Sequence, residues 1–393
     1  MTTTIDNEHK TFNVPNIRFK EFEEEWEECF LSDILEFKNG LNPKANKFGK
    51  GTKFISVMDI LNNIFITYDC IKATVEATEE EKLNFSVEKG DILFQRSSET
   101  LDDVGRANVY MDERPAIFGG FVIRGKKKGE YNPLFFRYLL SSPCSRRKII
   151  PMGAGAQHFN IGQEGLSKVK LNFASLSEQG KIGKFLSLID ERIATQNKII
   201  EDLKKLKVCV RMLIFRTLNC SWFLLSELEA SGDICLKRGN IIPKHEHTDI
   251  FCYPVYSSSV QNGGLMGYNN TYMFNTELVT WSIDGGGNFF YRHKHKFNVT
   301  NVSGYMQLNE AKYNYRFVSE ILLWQHSFMV FDYQTKAHPS VIRSIYKLPD
   351  VSLAEQELIA NIFRLLDVKL QNEMTILKQY QQQKQYLLCQ MFI

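Results

Sequence analysis

The sequence has no apolar run near the roughly 18 residues that a membrane-spanning helix needs, and Met1–Lys10 is polar rather than signal-like. Its eight cysteines include no Cys-x-x-Cys pair, so we expect free and mostly buried thiols. The net charge is only +3, and DNA binding therefore has to be argued from local clusters rather than from composition. These absences favour a protein that stays in the cytoplasm.

Motifs for cofactor or metal chemistry are also missing. Gly49-Lys50-Gly51 lacks the glycine spacing and the following Ser/Thr of a P-loop. Asn132-Pro133-Leu134-Phe135 comes close to an amino-methyltransferase loop, but Leu occupies the third place and a helix start fits better. Two His-x-His pairs, at 245–247 and 293–295, lack convincing Cys or carboxylate companions, so we favour phosphate-facing histidines over a metal site. We therefore predict no catalytic residue and no metal site.

What the sequence does contain is an internal repeat. After a shift of 177 residues, Lys170–Arg216 aligns with Lys347–Ile393 without a gap, and 12 of the 47 positions are identical. Each copy opens with a Ser-x-x-Glu spacing, at 175–178 and 352–355, which predicts a helix with a capping box.

Apolar residues recur at 3-4 spacing through both copies, which is typical of a coiled-coil seam. The predicted seam consists of Ile182, Leu186, Ile189, Ile193, Ile200, Leu203, Ile359, Phe363, Leu366, Leu370 and Leu377. Polar breaks interrupt both seams at matched positions, namely Gln196, Lys207, Glu373 and Lys384. A helix of about 40 residues would be about 60 Å long, and the simplest partner for each helix is the other copy.

The regions before the helices contain aromatic and β-branched runs broken by Gly, Asn and Asp, which predicts short strands and many loops. The strand candidates are Phe54–Val57, Asp91–Phe94, Phe118–Ile123, Leu278–Ile283 and Tyr305–Leu308. We predict an α+β fold in which a mixed domain at 1–174, a long helix at 175–216, a mixed domain at 217–351 and a long helix at 352–393 follow one another.

Basic residues are clustered in the two mixed domains, at 44–53, 126–128, 146–148 and 292–296. They are interleaved with Tyr, Asn, Gln and Ser, which suits phosphate clamping combined with base-edge reading. A solvated basic face remains the alternative for each cluster.

The order and duplication of these segments resemble the specificity subunit of type I restriction–modification systems over nearly the whole chain. The resemblance is carried by Val14–Phe19, Trp26-Glu27, Leu31–Ile34, Gly90–Ser97, Gly105-Arg106, Tyr253–Ser257, Gly263–Tyr268, Trp281–Gly285, Glu178–Asp190 and Glu355–Asp367.

The resemblance implies two target-recognition domains, each reading one half of a split, asymmetric DNA sequence. It also implies that two spacer helices pack antiparallel in a pseudo-twofold repeat and fix the distance between the half-sites. Two modification (methyltransferase) subunits would dock on this frame, and restriction (motor–nuclease) subunits would join for cleavage. S-adenosylmethionine, ATP and Mg are expected in those partners, whereas this chain is expected to hold no cofactor and to be non-catalytic.

Loop position and chemistry suggest which residues contact DNA, and the alternative for each is an ordinary polar loop residue. The candidates are Arg96, Arg106, Lys126, Lys127, Gln157, His158, Lys244, Asp284, Asn288, Arg292 and Lys294. Two other functions stay open, a coiled-coil adaptor without sequence-specific DNA reading and an enzyme with a cryptic site. Deleting one mixed domain would distinguish DNA reading, which loses half its target, from an adaptor.

Overall fold

The computed structural model describes residues 13–242, 252–284, 286–329 and 336–393. The chain forms two compact units, a first unit of Met1–Asn197 with Thr375–Ile393 and a second unit of Lys198–Met374. Each unit therefore combines one mixed domain with part of each long helix. No helix in the described ranges is long and apolar enough to cross a membrane.

The first unit contains a mixed domain of short strands and helices. Its strands are β1 (Glu27–Phe30), β2 (Leu35–Asn39), β3 (Phe48–Ile55), β4 (Thr74–Val75), β5 (Ser86–Val87), β6 (Ile92–Gln95), β7 (Ser97–Ser98), β8 (Ala107–Val109), β9 (Ala116–Phe118), β10 (Val122–Lys127), β11 (Phe159–Asn160) and β12 (Lys170–Phe173). Its helices are α1 (Leu31–Ile34), α2 (Val57–Asn62), α3 (Glu79–Asn84), α4 (Pro133–Ser141), α5 (Pro143–Ile149) and α6 (Gln163–Ser167), and the long helix α7 (Leu176–Thr217) follows.

Two four-stranded sheets organise this domain. One is antiparallel with the order β2-β10-β6-β8, and the other is mixed with the order β4-β3-β9-β5. Fully buried side chains such as Phe94, Ile123 and Phe136 pack the first sheet against α4. The chain therefore leaves β6 and enters β10 at the same end of this sheet, because the two strands are antiparallel neighbours.

The second unit holds the second mixed domain. Its strands are β13 (Trp222–Leu224), β14 (Ile234–Arg238), β15 (Tyr253–Tyr256), β16 (Leu265–Asn269), β17 (Phe274–Ser282), β18 (Phe289–Val299), β19 (Ser303–Leu308) and β20 (Lys347–Pro349). Its helices are α8 (Leu225–Ala230), α9 (Tyr315–His326) and α10 (Pro339–Ile345), and the long helix α11 (Leu353–Gln390) follows. A six-stranded sheet has the order β14-β19-β17-β18-β15-β16.

The internal repeat is also present in the contacts of the two units. In the first unit the buried Gln179 side chain accepts from the backbone N–H of Asn132, which caps α4, at 2.8 Å. In the second unit Gln356 accepts from the backbone N–H of Asn314, which caps α9, at 2.9 Å. The same glutamine thus ties each long helix to the start of the helix in its own domain. The α+β class and the internal repeat predicted from the sequence are confirmed.

The two long helices run antiparallel within each unit. In the first unit Ile182 and Leu186 of α7 share a hydrophobic core with Leu387 and Met391 of α11. In the second unit the late α7 residues Val210, Ile214 and Phe215 lie in one core with the early α11 residues Ile359 and Phe363. All predicted seam residues are buried or half-buried, but many of them also pack against the mixed domain.

Gly183 shows how closely α7 approaches the first domain. A Cβ at this position would lie 2.8 Å from the backbone N of Phe135 in α4. The repeat-equivalent residue of α11 is Ala360, which is buried. The glycine that weakens the helical pattern in the sequence is therefore needed for the packing of α4 on α7.

The two predicted capping boxes differ. Ser352 and Glu355 form the reciprocal arrangement, because the Ser352 Oγ accepts from the Glu355 N–H while the Glu355 carboxylate accepts from the Ser352 N–H. Glu178 instead turns inward, where its carboxylate binds the Arg18 guanidinium at 2.7 Å and the Trp26 indole N–H at 3.2 Å. The Ser175 Oγ accepts from the Glu178 N–H at 3.4 Å, so half of the predicted box is present. The reciprocal half is wrong, because the half-buried Arg18 and the Trp26 indole bind the Glu178 carboxylate instead.

Two further expectations need correction. Phe118–Ile123 is not one strand, because β9 ends at Phe118, a turn follows and β10 begins at Val122. Each of the eight cysteines is half-buried or exposed, so the expectation of mostly buried thiols is wrong. Gln196, the polar break in the predicted seam of α7, is buried. The division into four segments stays a prediction, since the compact units cut across both long helices.

Candidate nucleic-acid interface

Arg96 lies immediately after β6, at the end of the sheet where β10 begins. Its backbone N–H donates to the Phe121 carbonyl at 2.9 Å, and its carbonyl accepts from the Ile161 N–H at 2.9 Å. The guanidinium also reaches the Gly120 carbonyl at 3.3 Å. The backbone of Arg96 is thus fixed between two loops, while its side chain stays half-exposed.

Gln157 and His158 are exposed on the loop beside Arg96. The short strand β11 holds this loop, because Phe159 pairs with Ser98 and Asn160 pairs with Ser97 in the two-stranded β7–β11 ladder. The Asn160 side chain also donates to the His158 carbonyl at 3.3 Å. The structure therefore brings Arg96, Gln157 and His158 to one end of the first domain.

Arg106 lies near the same end of the first domain, because a backbone hydrogen bond holds it beside the end of β6. Its carbonyl accepts from the Gln95 N–H at 2.7 Å, and its exposed side chain forms an ion pair with Asp103 at 2.6 Å. Lys126 and Lys127 lie at the other end of β10, about 17 Å away along the strand. There Lys127 pairs with Glu130 at 3.2 Å. The first-domain candidates thus fall into two separate groups.

Phe121 is a candidate that the sequence analysis missed. It is 68% exposed and projects from the β9–β10 turn, next to Arg96. The turn is tightly fixed, because the Val122 N–H donates to the Gly119 carbonyl and a Cβ on Gly120 would meet the Asn42 side chain at 1.8 Å. The aromatic residue that directly follows two glycines, between two apolar runs, was the available signal.

In the second domain, Asp284 and Asn288 lie on the loop between β17 and β18. The Ser282 N–H donates to the Asn288 carbonyl at 3.1 Å, which closes the loop. Asp284 is exposed and pairs with Lys336 at 2.9 Å, whereas Asn288 is half-buried. Lys294 is exposed farther along β18.

Arg292 has a different environment from the other candidates. It is 7% exposed, its Nε donates to Thr280 Oγ1 at 2.9 Å, and its Nη2 donates to the Gly263 carbonyl at 2.7 Å. The guanidinium stacks 3.6 Å from the centroid of the Tyr256 ring, and burial lowers the pKa of Arg292 to about 10. These contacts favour a packing role that ties β18 to the turn before β16, so we leave Arg292 out of the proposed DNA surface.

Four residues used in the sequence analysis, Lys244, His245, His247 and Gly285, lie outside the described residues. The second histidine pair is described. His293 and His295 stack at 4.4 Å between ring centroids, and the His295 Nε2 lies 3.2 Å from the Tyr256 hydroxyl. Within the described ranges no group of three or more His, Cys, Asp or Glu residues gathers as a metal site would require.

The two domains carry different residues on the same framework. In the first domain the Leu41 N–H donates to the Phe118 carbonyl, and in the second the Asn240 N–H donates to the Val299 carbonyl. A second pair of hydrogen bonds is equivalent in the same way. The Arg96 N–H donates to the Phe121 carbonyl at 2.9 Å in the first domain, and the Ile283 N–H donates to the Val302 carbonyl at 3.0 Å in the second. A repeated framework with unlike loops defines an internally duplicated α+β protein.

The comparison with known families agrees with this class. The sequence model of the type I restriction modification DNA specificity domain matches residues 23–205 and 227–382, which is more than half of the chain. The chain belongs to this family of DNA specificity proteins.

Relatives in two organisms match parts of the chain. A Methanocaldococcus jannaschii protein named as a type I restriction enzyme specificity subunit is 29% identical over 204 residues, 51% of this chain and 47% of that protein. A Mycoplasma pneumoniae protein named as a type I specificity subunit is 35% identical over 152 residues, 36% of this chain and 48% of that protein. The chain thus covers about half the length of these relatives.

Solved structures with the same fold match almost the whole chain. A crystal structure of a type I restriction–modification S subunit from M. genitalium has a TM-score of 0.55 and 17% identity, and the match covers 97% of this chain and 99% of that chain. A chain from a structural study of type I complex assembly and conformational transition has a TM-score of 0.60 and 11% identity, with 92% and 96% covered. At these identities the likeness shows the fold alone.

Proposed function

We propose that this chain is the sequence-specific DNA-binding subunit of a type I restriction–modification complex, and that each mixed domain reads one half of a bipartite target. The observation that carries this proposal is the repeated framework with unlike loops. Arg96 and Phe121 stand where the second domain has Ile283 and Val302. Two readers with different side chains at equivalent positions suit an asymmetric target.

The chemistry of the exposed candidates suits both kinds of DNA contact. Arg96 and Arg106 can donate two hydrogen bonds to guanine, and Gln157 can pair with adenine in the same way. In the second domain the Asn288 amide can form two hydrogen bonds to adenine, and the Asp284 carboxylate can accept from cytosine. His158 is suited to either kind of contact. Lysine candidates contact phosphates without reading sequence, and they are Lys126, Lys127, Lys244 and Lys294.

In this proposal the long helices fix the distance between the two mixed domains and form the surface on which the modification subunits dock. Two readers held at a fixed separation act as one bivalent binder, and a wrong spacing prevents both from engaging. Leu188 on α7 and Leu365 on α11 are repeat equivalents, and both are exposed, at 47% and 58%. We infer that these two sites each dock one copy of a modification subunit, because exposed equivalent apolar residues fit two identical partners.

The chemistry is assigned to the partners in this proposal. The modification subunits would bind S-adenosylmethionine and methylate adenine, and the restriction subunits would use ATP and Mg. The role of this chain would be to position DNA, so no residue of it is proposed as catalytic. Methyl transfer or cleavage by the purified chain alone would contradict this part of the proposal.

The test is to map methylated adenines after the chain is reconstituted with its modification subunit on a library of DNA sequences. Wild type is compared with a first-domain variant, R96A/Q157A, and a second-domain variant, D284A/N288A. We expect each variant to relax only one half of the target. Loss of both halves in either variant would contradict one half-site for each domain. A methylation pattern insensitive to both variants would favour the alternative of a coiled-coil adaptor. Binding insensitive to salt would also count against the proposal.

A further inference from the structure

The first unit contains a pocket of about 570 Å³, and Arg106 is its one lining residue that is also a proposed DNA contact. This volume is within the range of small-ligand sites. Its lining includes more basic than acidic side chains, namely Arg106, Arg137, Arg146 and Lys384 against Asp102 and Asp190.

Arg146 has no carboxylate partner within the part of the chain that the structure describes. Its Nη2 donates to the carbonyl oxygens of Asp102 and Val104, at 2.9 and 2.6 Å. Its Nη1 is buried and has no hydrogen-bond partner among the described residues. Burial lowers the pKa of Arg146 to about 10, which reflects the cost of a desolvated charge.

Arg137 is half-buried and also lacks a carboxylate partner among the described residues. Its Nε donates to the Ile64 carbonyl, its guanidinium lies 5.1 Å from the centroid of the Tyr138 ring, and burial lowers its pKa. The ion pairs found among the described residues include neither Arg137 nor Arg146. Two arginines without a carboxylate partner therefore line one pocket, and the buried Nη1 of Arg146 leaves a charge there that is costly without a counter-ion.

The acidic residues around the pocket are already engaged or exposed. Asp190 accepts from the Tyr138 hydroxyl at 2.7 Å and pairs with Lys384, and Asp103 pairs with Arg106. Asp102 is exposed, and its carbonyl rather than its carboxylate meets Arg146. The excess positive charge therefore falls on Arg137 and Arg146.

The second unit has a carboxylate at the corresponding place in its own fold. Counted from the capping asparagines, the residue equivalent to Tyr138 is Glu320. The Glu320 carboxylate neutralises Arg211 at 2.6 Å, and it also lies 3.3 Å from Arg316 and 3.5 Å from Lys207. At this position the second unit thus has a carboxylate among its basic residues, whereas the first unit has the Tyr138 hydroxyl.

We propose that this pocket binds a phosphate group between Arg137 and Arg146. The planar guanidinium group donates in a fork that matches phosphate oxygens, and charge-assisted hydrogen bonds of this kind are strong. The phosphate can come from a free ion or nucleotide, or from a DNA backbone. This inference does not depend on which domain reads which half-site.

The experiment measures thermal unfolding of the full-length chain while sodium phosphate or pyrophosphate is titrated against sodium chloride of equal ionic strength. We expect a saturable stabilisation in wild type. R146Q and R137Q should weaken the apparent affinity by about tenfold or more, because a charged hydrogen-bond partner is lost. R147Q is the matched control, since Arg147 is the exposed neighbour on the same helix, and it should bind like wild type.

The variants should remain folded, because each removes a charge that has no counter-ion. R146K is the second variant if R146Q is not stable. It should bind phosphate more weakly than wild type, because lysine cannot donate two parallel hydrogen bonds to one phosphate group. Binding of a DNA duplex to the same proteins then identifies the source. Competition by phosphate, with weaker DNA binding by R146Q, indicates the DNA backbone, whereas phosphate binding without either effect indicates a free ligand.

Three results would overturn the proposal. The first is that neither phosphate nor DNA binding depends on Arg137 or Arg146. The second is that R147Q loses as much affinity as R146Q, which would indicate a diffuse surface effect. The third is that only an acidic segment of the modification subunit occupies the pocket. None of these results would affect the adenine mapping that tests DNA reading.

Discussion

Lys384 and Asp190 form an ion pair in the first unit, with the lysine Nζ 2.5 Å from the aspartate Oδ1. The second unit has the equivalent pair, in which Lys207 lies 2.6 Å from Asp367. Both lysines interrupt the apolar pattern of their helices. Each pair sets the alignment of α7 against α11 in its unit, because a shift by one helical turn would separate the charges by about 5 Å.

Breaking the first pair should cost stability. We expect K384M to lower the free energy of unfolding by about 2–4 kcal/mol, because a largely buried carboxylate loses its counter-ion. The double variant D190N/K384M should recover most of this loss, since no unpaired charge remains. Urea unfolding of the four proteins in the cycle measures the coupling. If the double variant loses the sum of the two single effects, the pair is not coupled.

The neighbours Leu188 and Ile189 should behave differently, because they are 47% and 6% exposed. I189D buries a charge in the core and should destabilise the chain by at least about 3 kcal/mol. L188D should change stability by less than about 0.5 kcal/mol and weaken binding of the modification subunit. Unfolding and co-purification assays separate the two effects. Leu366 and Leu365 provide the matched pair on α11. If the buried and the exposed substitution of each pair had equal effects on stability and on binding of the modification subunit, the proposed docking surface would be contradicted.

Phe121 should contribute to DNA binding without supporting the fold. An exposed aromatic on a fixed turn can stack on a base or insert between base steps, and loss of base stacking costs about 1–3 kcal/mol. F121A should therefore weaken target binding about 5- to 150-fold while its thermal stability stays unchanged. L83A, at an exposed leucine on α3, is the control and should bind as wild type. Unchanged binding by F121A would remove this residue from the proposed surface.

Stability of the second unit should depend on pH through Asp367. Burial acts to raise the pKa of Asp367, but hydrogen bonds from Lys207 and Arg316 hold it below the ordinary value. The folded-state pKa thus lies below the unfolded one, so the stabilisation is present above about pH 4 and is lost as the pH falls through the folded pKa. D367N should flatten this acid-side decline.

Thermal unfolding between about pH 3 and pH 6 measures the effect, since this range spans the ordinary pKa of an aspartate. D202N is the control, because Asp202 is exposed on α7. It should follow wild type over the whole range. A decline in D367N as steep as that of wild type would mean that other carboxylates carry the acid sensitivity.

The helices could be predicted because their signals are local. Apolar spacing and a serine before the first turn depend on neighbours in sequence, and both α7 and α11 begin within one or two residues of the predicted starts. The role of Glu178 could not be predicted in this way, since its partners Arg18 and Trp26 lie more than 150 residues away. The same applies to the inward position of Gln196.

Among the candidate contact residues, Arg96 and Arg292 look alike in the sequence, because each adjoins a strand run in a polar region. The structure leaves the Arg96 side chain half-exposed at the end of a sheet but stacks Arg292 on Tyr256 beneath the turn at Gly263. This difference comes from pairing between β15 and β18, which are distant in the chain. Residue type and periodicity do not contain that information.

The sequence by itself determined that the protein is duplicated, that a long helix follows each mixed domain and which specificity family it resembles. Periodicity and repeated spacing are properties of the chain, so they can be read without coordinates. The tertiary structure alone decided which polar residues are exposed, which lysines close the α7–α11 ion pairs, and which arginines remain without a carboxylate. These depend on contacts between distant segments, because burial and counter-ions are set by packing rather than by neighbours in sequence.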